Sequence, residues 1–260
     1  MSDPRKSIFI TGAAAGIGRA TAQRFAREGW LVGLYDVDAP ALQALSREIG
    51  PANCRSAVLD VTDADAVSRA VNAFAEAAGE RLDVMFNNAG IAHNGPFEEV
   101  PIGKAHAIVD VNLKGVINGC YAALPHLRIT PGACLINMAS ASAIYGAPNL
   151  AVYSSTKFAV KGLTEALDLE WRRYGIRVLD IQPLFVATPM VANMTPGLPS
   201  LKRLGLKLSA EQIADCVWQA AIRPGGAVHR YPGAQTRAFA LAAKLSPAWV
   251  NRAVNRLVQT

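Results

Sequence analysis

The feature that most constrains this chain is an alternation: short runs of β-branched and aliphatic residues, each followed by a longer stretch with helical apolar spacing. Seven strand-like runs occur, at 7–11, 31–35, 55–59, 84–86, 134–137, 177–182 and 227–231. Strands that alternate with helices build βαβ units around a parallel sheet, which needs helices on both faces. The expected fold is therefore α/β: a single-domain, doubly wound, seven-stranded parallel sheet flanked by helices. Between the third and fourth runs, Val67, Ala70, Val71, Phe74, Ala77 and Ala78 recur at i, i+3, i+4, i+7, i+10 and i+11, the stripe of an amphipathic helix lying on a sheet. Thr62 is its expected N-cap, with Asp63 and Asp65 in the first turn.

Composition narrows the function classes. At 260 residues the chain suits one large domain, and with 51% hydrophobic against 18% charged residues it is not a disordered polymer. No apolar stretch approaches the roughly 20 residues that span a bilayer, and Met1 to Lys6 lead directly into the first strand run, so neither an integral membrane segment nor a secretory signal is expected. Cys54, Cys120, Cys134 and Cys216 fit neither a disulfide framework nor a zinc-ligand pair. They read as reduced, buried thiols of a cytoplasmic protein. His106, His126 and His229 are too scattered for metal ligands, and no metal is expected. The net charge of +6 is carried entirely by Arg223, Arg230, Arg237, Lys244, Arg252 and Arg256, because residues 1–215 sum to zero and no acidic residue follows Asp215. A tail-confined excess argues against nucleic-acid binding by the domain as a whole.

Directly after the first run stands Thr11-Gly12-Ala13-Ala14-Ala15-Gly16-Ile17-Gly18, followed by a helical pattern through Glu28. Glycines here let the backbone turn tightly and bring free N–H groups at a helix N-terminus close to a pyrophosphate. Gly12, Ala14, Gly16, Ile17 and Gly18 are the candidate cofactor residues of this turn. Asp36 ends the second run, where a carboxylate accepts hydrogen bonds from both adenosine ribose hydroxyls and repels a 2′-phosphate. Neither Ala15 nor Val37 offers a cation to that phosphate, so NAD is expected over NADP. Tyr153 and Lys157, at i and i+4 of a long helical pattern, share one helix face, and the ammonium is expected to favour the ionised phenol.

Taken together these residues resemble the short-chain dehydrogenase/reductase family. The likeness runs from Ser7 to about Tyr231 and includes the glycine turn, Asp60-Val61, Asn87-Asn88-Ala89-Gly90, Asn112, Ser140, Tyr153, Lys157, Pro183 and Thr188 in family order. It implies a Rossmann fold and an NAD(P)-dependent oxidoreductase acting on CH–OH groups. By the same resemblance Tyr153 exchanges a proton with the substrate oxygen and Ser140 hydrogen-bonds that oxygen. Lys157 holds the nicotinamide ribose, and Asn112 helps order a water linking Lys157 to solvent. Asp60 and Val61 meet the adenine, Asn88, Ala89 and Gly90 run beneath the adenosine ribose, and Pro183, Val186 and Thr188 meet the nicotinamide end. Two positions depart from the family pattern: Leu184 stands where a glycine is usual, and Ala139 where a serine often precedes the catalytic one.

Substrate walls are expected from Ser142, Ile144, Tyr145, Leu150, Leu184, Phe185, Met190 and Met194, with a lid over residues 188–208 that is Leu-rich from 198 onward. This make-up suits a medium-sized apolar secondary alcohol or ketone. Lys202 and Arg203 on the lid leave an acyl-carrier-protein or coenzyme A 3-oxoacyl thioester as the alternative, and a non-catalytic dinucleotide sensor is the reading from another class. His93 is at least as well explained as an exposed loop residue as a pocket wall. The Rossmann domain is expected over 1–233 and a basic amphipathic tail over 234–260, in two short helices. The second helix, opened by Ser246-Pro247, carries Trp249, Val250, Ala253, Val254, Leu257 and Val258 on one face, with Asn251, Arg252, Asn255 and Arg256 opposite. Such a tail can cover the pocket, pack on a neighbouring subunit or touch an anionic membrane peripherally; subunit packing is the expectation favoured. The resemblance implies a homodimer or homotetramer assembled through helices near 103–123 and 152–173.

Overall fold

The computed structural model describes residues 5–194, 201, 205 and 208–259. Its strands are β1 (Ser7–Thr11), β2 (Leu31–Asp36), β3 (Cys54–Val58), β4 (Val84–Asn87), β5 (Cys134–Met138), β6 (Arg177–Ile181), β7 (Val186–Ala187), β8 (Leu208–Ser209) and β9 (His229–Arg230). Seven of them form one parallel sheet in the order β3-β2-β1-β4-β5-β6-β9. Each of the seven runs read from the sequence overlaps one of these strands, to within a residue except at the last, where the strand is the shorter. The period of two explains the two-sided core. Ile8, Ile10, Val32, Leu34, Val84 and Phe86 point to one face, and Phe9, Leu31, Tyr35, Met85, Leu135 and Val178 to the other.

Helices α1 (Gly16–Arg27), α2 (Ala39–Ile49) and α8 (Ala210–Ile222) cover the first face; α3 (Ala64–Ala77), α5 (Gly115–Ile129) and α6 (Ala151–Trp171) cover the second. Of the α3 stripe, Val67, Val71 and Phe74 are buried, and Phe74 meets Phe9 edge to face with ring centroids 5.6 Å apart. The α3 cap is Asp63 rather than Thr62. Asp63 Oδ1 accepts from Ala66 N–H at 2.9 Å, while the Thr62 hydroxyl donates to Asp60 Oδ1 at 2.8 Å; a carboxylate one residue nearer the helix matches its positive end better. All four cysteines are free. Burial pushes the Cys120 thiol up to about 12 and that of Cys134 to about 11, so both are inert packing groups. His229 is also tied into the structure, with Nδ1 2.9 Å from buried Asp180 and Nε2 2.9 Å from Glu165.

The described ends of the 188–208 segment carry secondary structure. The segment opens with the single-turn helix α7 (Pro189–Ala192) and closes on β8, whose pairing with β7 brings its two ends together. Thr195 to Ser200, Lys202 to Leu204, Leu206 and Lys207, and with them most of the expected lid, lie outside the described residues. The tail forms α9 (Ala234–Leu245) and α10 (Ala248–Gln259), and α4 (Ile102–Val109) precedes α5. Among the described residues no helix is long and apolar enough to cross a membrane.

Candidate active site

The sheet order reverses between β1 and β4, and ligands of open α/β sheets bind outside the strand C-termini at such a point. Here the two strand ends are stapled together. Thr11 Oγ1 accepts the N–H groups of Asn88 and Ala89, each at 3.0 Å, and Asn88 Nδ2 donates to the carbonyls of Thr11 and Gly12, each at 3.0 Å. Gly12 has φ +64°, and a Cβ on Gly18 would lie 2.0 Å from the Gly12 carbonyl oxygen. Only glycine lets α1 start this close to the turn. Asp36 Oδ2 accepts from Ala14 N–H at 2.9 Å. It does not cap α2, since that role belongs to Asp38, which accepts from Ala41 N–H at 3.0 Å. The carboxylate is thus aimed at the glycine turn.

A cavity of about 330 Å³ opens here, lined at one end by Gly12, Gly16, Ile17, Asp36, Asn88, Ala89 and Gly90. Ala14 and Gly18 shape the turn without lining it. Asp60 and Val61 do not reach the cavity. Asp60 is exposed and holds Thr62 through its N–H at 2.9 Å and its hydroxyl; Val61 is buried against Gly115 of α5.

Ser140, Tyr153 and Lys157 line the same cavity. Ser140 follows β5, and its Oγ accepts from the Ser142 N–H at 3.2 Å and the Ser142 hydroxyl at 2.9 Å. Lys157, one turn after Tyr153 on α6, is buried and donates from Nζ to the Met138 carbonyl at the end of β5, 2.8 Å away. Its Nζ stands 5.5 Å from the Tyr153 ring centroid. Burial brings the Lys157 ammonium down to about 8. The expected depression of the Tyr153 phenol is not present in the protein alone: burial raises it, and hydrogen bonding to Ser140 only partly opposes that. In a site without a bound cation, desolvation of the phenolate outweighs a Lys that is itself disfavoured as a cation.

Asn112 sits one layer behind. It occupies a π-helical turn, Asp110–Lys114, between α4 and α5, a local irregularity frequent at functional sites. Its fully buried amide accepts from Ile91 N–H at 2.8 Å and donates to the Ile91 carbonyl at 2.9 Å and Thr156 Oγ1 at 3.4 Å. A Cβ on Gly90 would lie 3.3 Å from Asn112 Oδ1 and 3.7 Å from Lys157 Nζ, so Gly90 is the gap through which Asn112 and Lys157 approach the cavity.

Ser142, Tyr145, Leu150, Leu184, Phe185, Met190 and Met194 form the far end, with Pro183, Val186 and Thr188 between it and the glycine turn. Ile144 does not line the cavity, and His93 is exposed away from it. Lining residues that escape the sequence reading include Met138, Ala141 and Ala147 beside Ser140 and, from the tail, Phe239 of α9 and Asn255 of α10. Asn255 belongs to the face of α10 that its polarity assigns to solvent. The helix is rotated so that Asn251 and Asn255 are half-buried while Arg252 and Arg256 stay exposed. Asn251 Nδ2 donates to the carbonyls of Ala243 at 2.9 Å and Ser246 at 3.3 Å, which turns the asparagines inward and leaves Trp249 and Leu257 exposed. Val258, placed with the apolar face, has its side chain outside the described residues.

Residues 6–198 match the short chain dehydrogenase family. This chain belongs to that family. The short-chain dehydrogenase described here is 37% identical over 194 residues to meso-2,3-butanediol dehydrogenase of Serratia marcescens, a match covering 75% of each chain. Its fold is similar to that of 3-ketoacyl-(acyl-carrier-protein) reductase from Brucella melitensis complexed with NADH, at a TM-score of 0.78 and 29% identity over 89% of this chain and 98% of that one. It is also similar to the closed form of a serine dehydrogenase complexed with NADP+, at a TM-score of 0.79 and 26% identity over 86% and 93% of the two chains. The protein is an oxidoreductase of the class acting on CH–OH groups.

Proposed function

We propose that this short-chain dehydrogenase is NAD-dependent and interconverts a medium-sized apolar secondary alcohol and its ketone, with Tyr153 as general acid/base. The observation that carries the reading is convergence: Ser140, Tyr153 and Lys157 face the same cavity as the glycine turn and Asp36. The residues present fit a dinucleotide, because the turn is held by Asn88 and carries glycine at 12 and 16, where a Cβ would crowd Ala89 and Thr188, beside a helix N-terminus that suits a pyrophosphate. When bound, the nicotinamide ring supplies or accepts a hydride at the carbinol carbon.

The chain's own residues do the rest. Tyr153 gives its phenolic proton to the carbonyl oxygen in reduction and takes it back in oxidation, while Ser140 holds that oxygen. A phenol raised by burial stays protonated near neutral pH, ready to act as the acid. Lys157, anchored to Met138 and brought to about 8, holds the nicotinamide ribose and passes protons within the range where a general acid/base works best. Asn112 positions the Gly90–Ile91 backbone and borders Lys157, which suits it to order a water there. Asn88 to Gly90 and Ile17 support the dinucleotide; Pro183, Val186 and Thr188 meet its nicotinamide end. Asp36, already turned to the glycine loop, accepts from the ribose hydroxyls and disfavours a 2′-phosphate.

Leu184, Phe185, Met190 and Met194 make the substrate end apolar, which favours this substrate class over the polar chain of an acyl thioester. Lys202 and Arg203, the residues that would favour a thioester, lie outside the described residues. A sensor without chemistry has no need of Ser140, Tyr153 and Lys157 in one cavity. Subunit packing through α5 and α6 belongs to the same reading, since Tyr121, Phe158 and Leu169 are exposed there. A screen of secondary alcohols with NAD+ and with NADP+, followed by nicotinamide absorbance, tests the proposal. Turnover with NAD+ on an apolar alcohol is expected; turnover only on acyl thioesters, or on no alcohol or ketone, overturns it.

A further inference from the structure

Each of the two tail helices exposes apolar and basic residues together along one face. On α9 these are Arg237, Leu241, Lys244 and Leu245, at i, i+4, i+7 and i+8; on α10 they are Trp249, Arg252, Ala253, Arg256 and Leu257, at i, i+3, i+4, i+7 and i+8. Leu241 is 58% exposed, Leu245 74%, Trp249 73% and Leu257 66%. Asn251 is bonded to the end of α9 and Asn255 borders the cavity instead. A helix that meets only water turns these faces the other way, so the surface is built for something other than water.

Charge decides what. No acidic residue occurs after Asp215, and among the described residues none of Arg237, Lys244 and Arg252 is in a salt bridge. A second copy docked by two-fold symmetry would set this patch against itself, with cations facing cations and no carboxylate between them. A bilayer with anionic headgroups satisfies both features at once, taking Trp and Leu into the acyl boundary while the cations meet the headgroups. We propose that the α9–α10 face docks this enzyme peripherally on an anionic lipid bilayer. Asn255 lies on the inner side of the same helix and borders the cavity, so docking seats the substrate cavity beside the lipid surface.

The full chain, mixed with vesicles of phosphatidylcholine alone or with phosphatidylglycerol added, tests the proposal by co-sedimentation and tryptophan fluorescence. Trp30, Trp171 and Trp218 are buried, so a shift in emission reports Trp249. Expected results are at least tenfold tighter binding to the anionic vesicles, a blue shift, and loss of binding as salt rises from about 0.1 M to about 1 M and the screening length shortens. The double variant Leu245→Ser, Trp249→Ser and the charge variant Lys244→Glu, Arg252→Glu should each lose at least tenfold in vesicle binding, with turnover of a soluble alcohol unchanged. Equal binding of neutral and anionic vesicles, or none, overturns the proposal. So does a fall in molecular mass for the Leu245, Trp249 variant in sedimentation equilibrium, which would make a second copy the occupant.

Discussion

The two ends of the cavity are built in different ways. The dinucleotide end is made of backbone: Gly12 and Gly16, the Asn88 to Gly90 turn, and hydrogen bonds from Thr11 and Asn88 that lock β1 to β4. The substrate end is made of side chains drawn from five separate segments, Tyr145, Leu184, Met190, Phe239 and Asn255 among them, several on short elements or on the tail. A site that binds through main-chain N–H groups tolerates almost no added atom. One that binds through apolar walls accepts exchange of volume and changes only its selectivity. One scaffold can therefore keep its coenzyme chemistry while its substrate drifts.

Variants at the two ends should separate accordingly. The largest effect is expected from Gly18→Ala, whose methyl cannot avoid the Gly12 carbonyl. A loss of about 1–3 kcal/mol in urea unfolding, together with loss of NADH binding, is expected; wild-type affinity in the variant would mean that the turn is not held as tightly as the Asn88 bonds imply. Lys157→Met should separate stability from function in the other direction. It removes a buried ammonium whose value falls from 10.5 to about 8 on folding, so it should abolish turnover yet stabilise the protein without coenzyme by about 2 kcal/mol at pH 7, after loss of the Met138 bond. Between about pH 8 and 10.5 the unfolded wild-type chain binds the proton that the folded one has released, so wild-type stability rises with pH. The advantage of methionine should shrink across that window, and an advantage constant with pH would deny that burial of charge is its source.

Asp36→Ala tests coenzyme choice at the rigid end. The ratio of NADPH to NADH dissociation constants should fall about tenfold, near 1.4 kcal/mol, and an unchanged ratio would leave selectivity to another residue. The smallest effect is expected at the adaptable end. Phe239→Ala, on a half-buried tail residue, should alter KM for the alcohol several-fold with less than about 1 kcal/mol of stability lost and NADH affinity kept. A fall in NADH affinity there would erase the contrast between the two ends.

The same contrast governs what could be read from the chain before its fold. Residues that act through local backbone geometry, such as Gly12 to Gly18 and Asp36, carry their function in spacing, Asn88 to Gly90 came with the family resemblance, and the structure places Gly12, Gly16, Asp36 and Asn88 around one cavity. Tyr153 and Lys157 were also legible, because i and i+4 on a helix face one way, whereas Ser140 came only with the family resemblance. Phe239 and Asn255 were not. They reach the cavity only through the packing of α9 and α10, and polarity on α10 did not separate the inward asparagines from the exposed arginines or show that Trp249 and Leu257 would be exposed with the latter. The direction of the Tyr153 shift was missed for a related reason: the depth of burial that raises the phenol is a property of the assembled site.

The account rests on Tyr153 delivering a proton inside a cavity that independently binds the dinucleotide. NADH titrations of the wild type and of Tyr153→Phe, paired with turnover of the best alcohol from the screen, test this most directly. Matching dissociation constants with turnover lower by about 10²–10⁴-fold are predicted; a phenylalanine variant that binds NADH normally and turns over at the wild-type rate would contradict it.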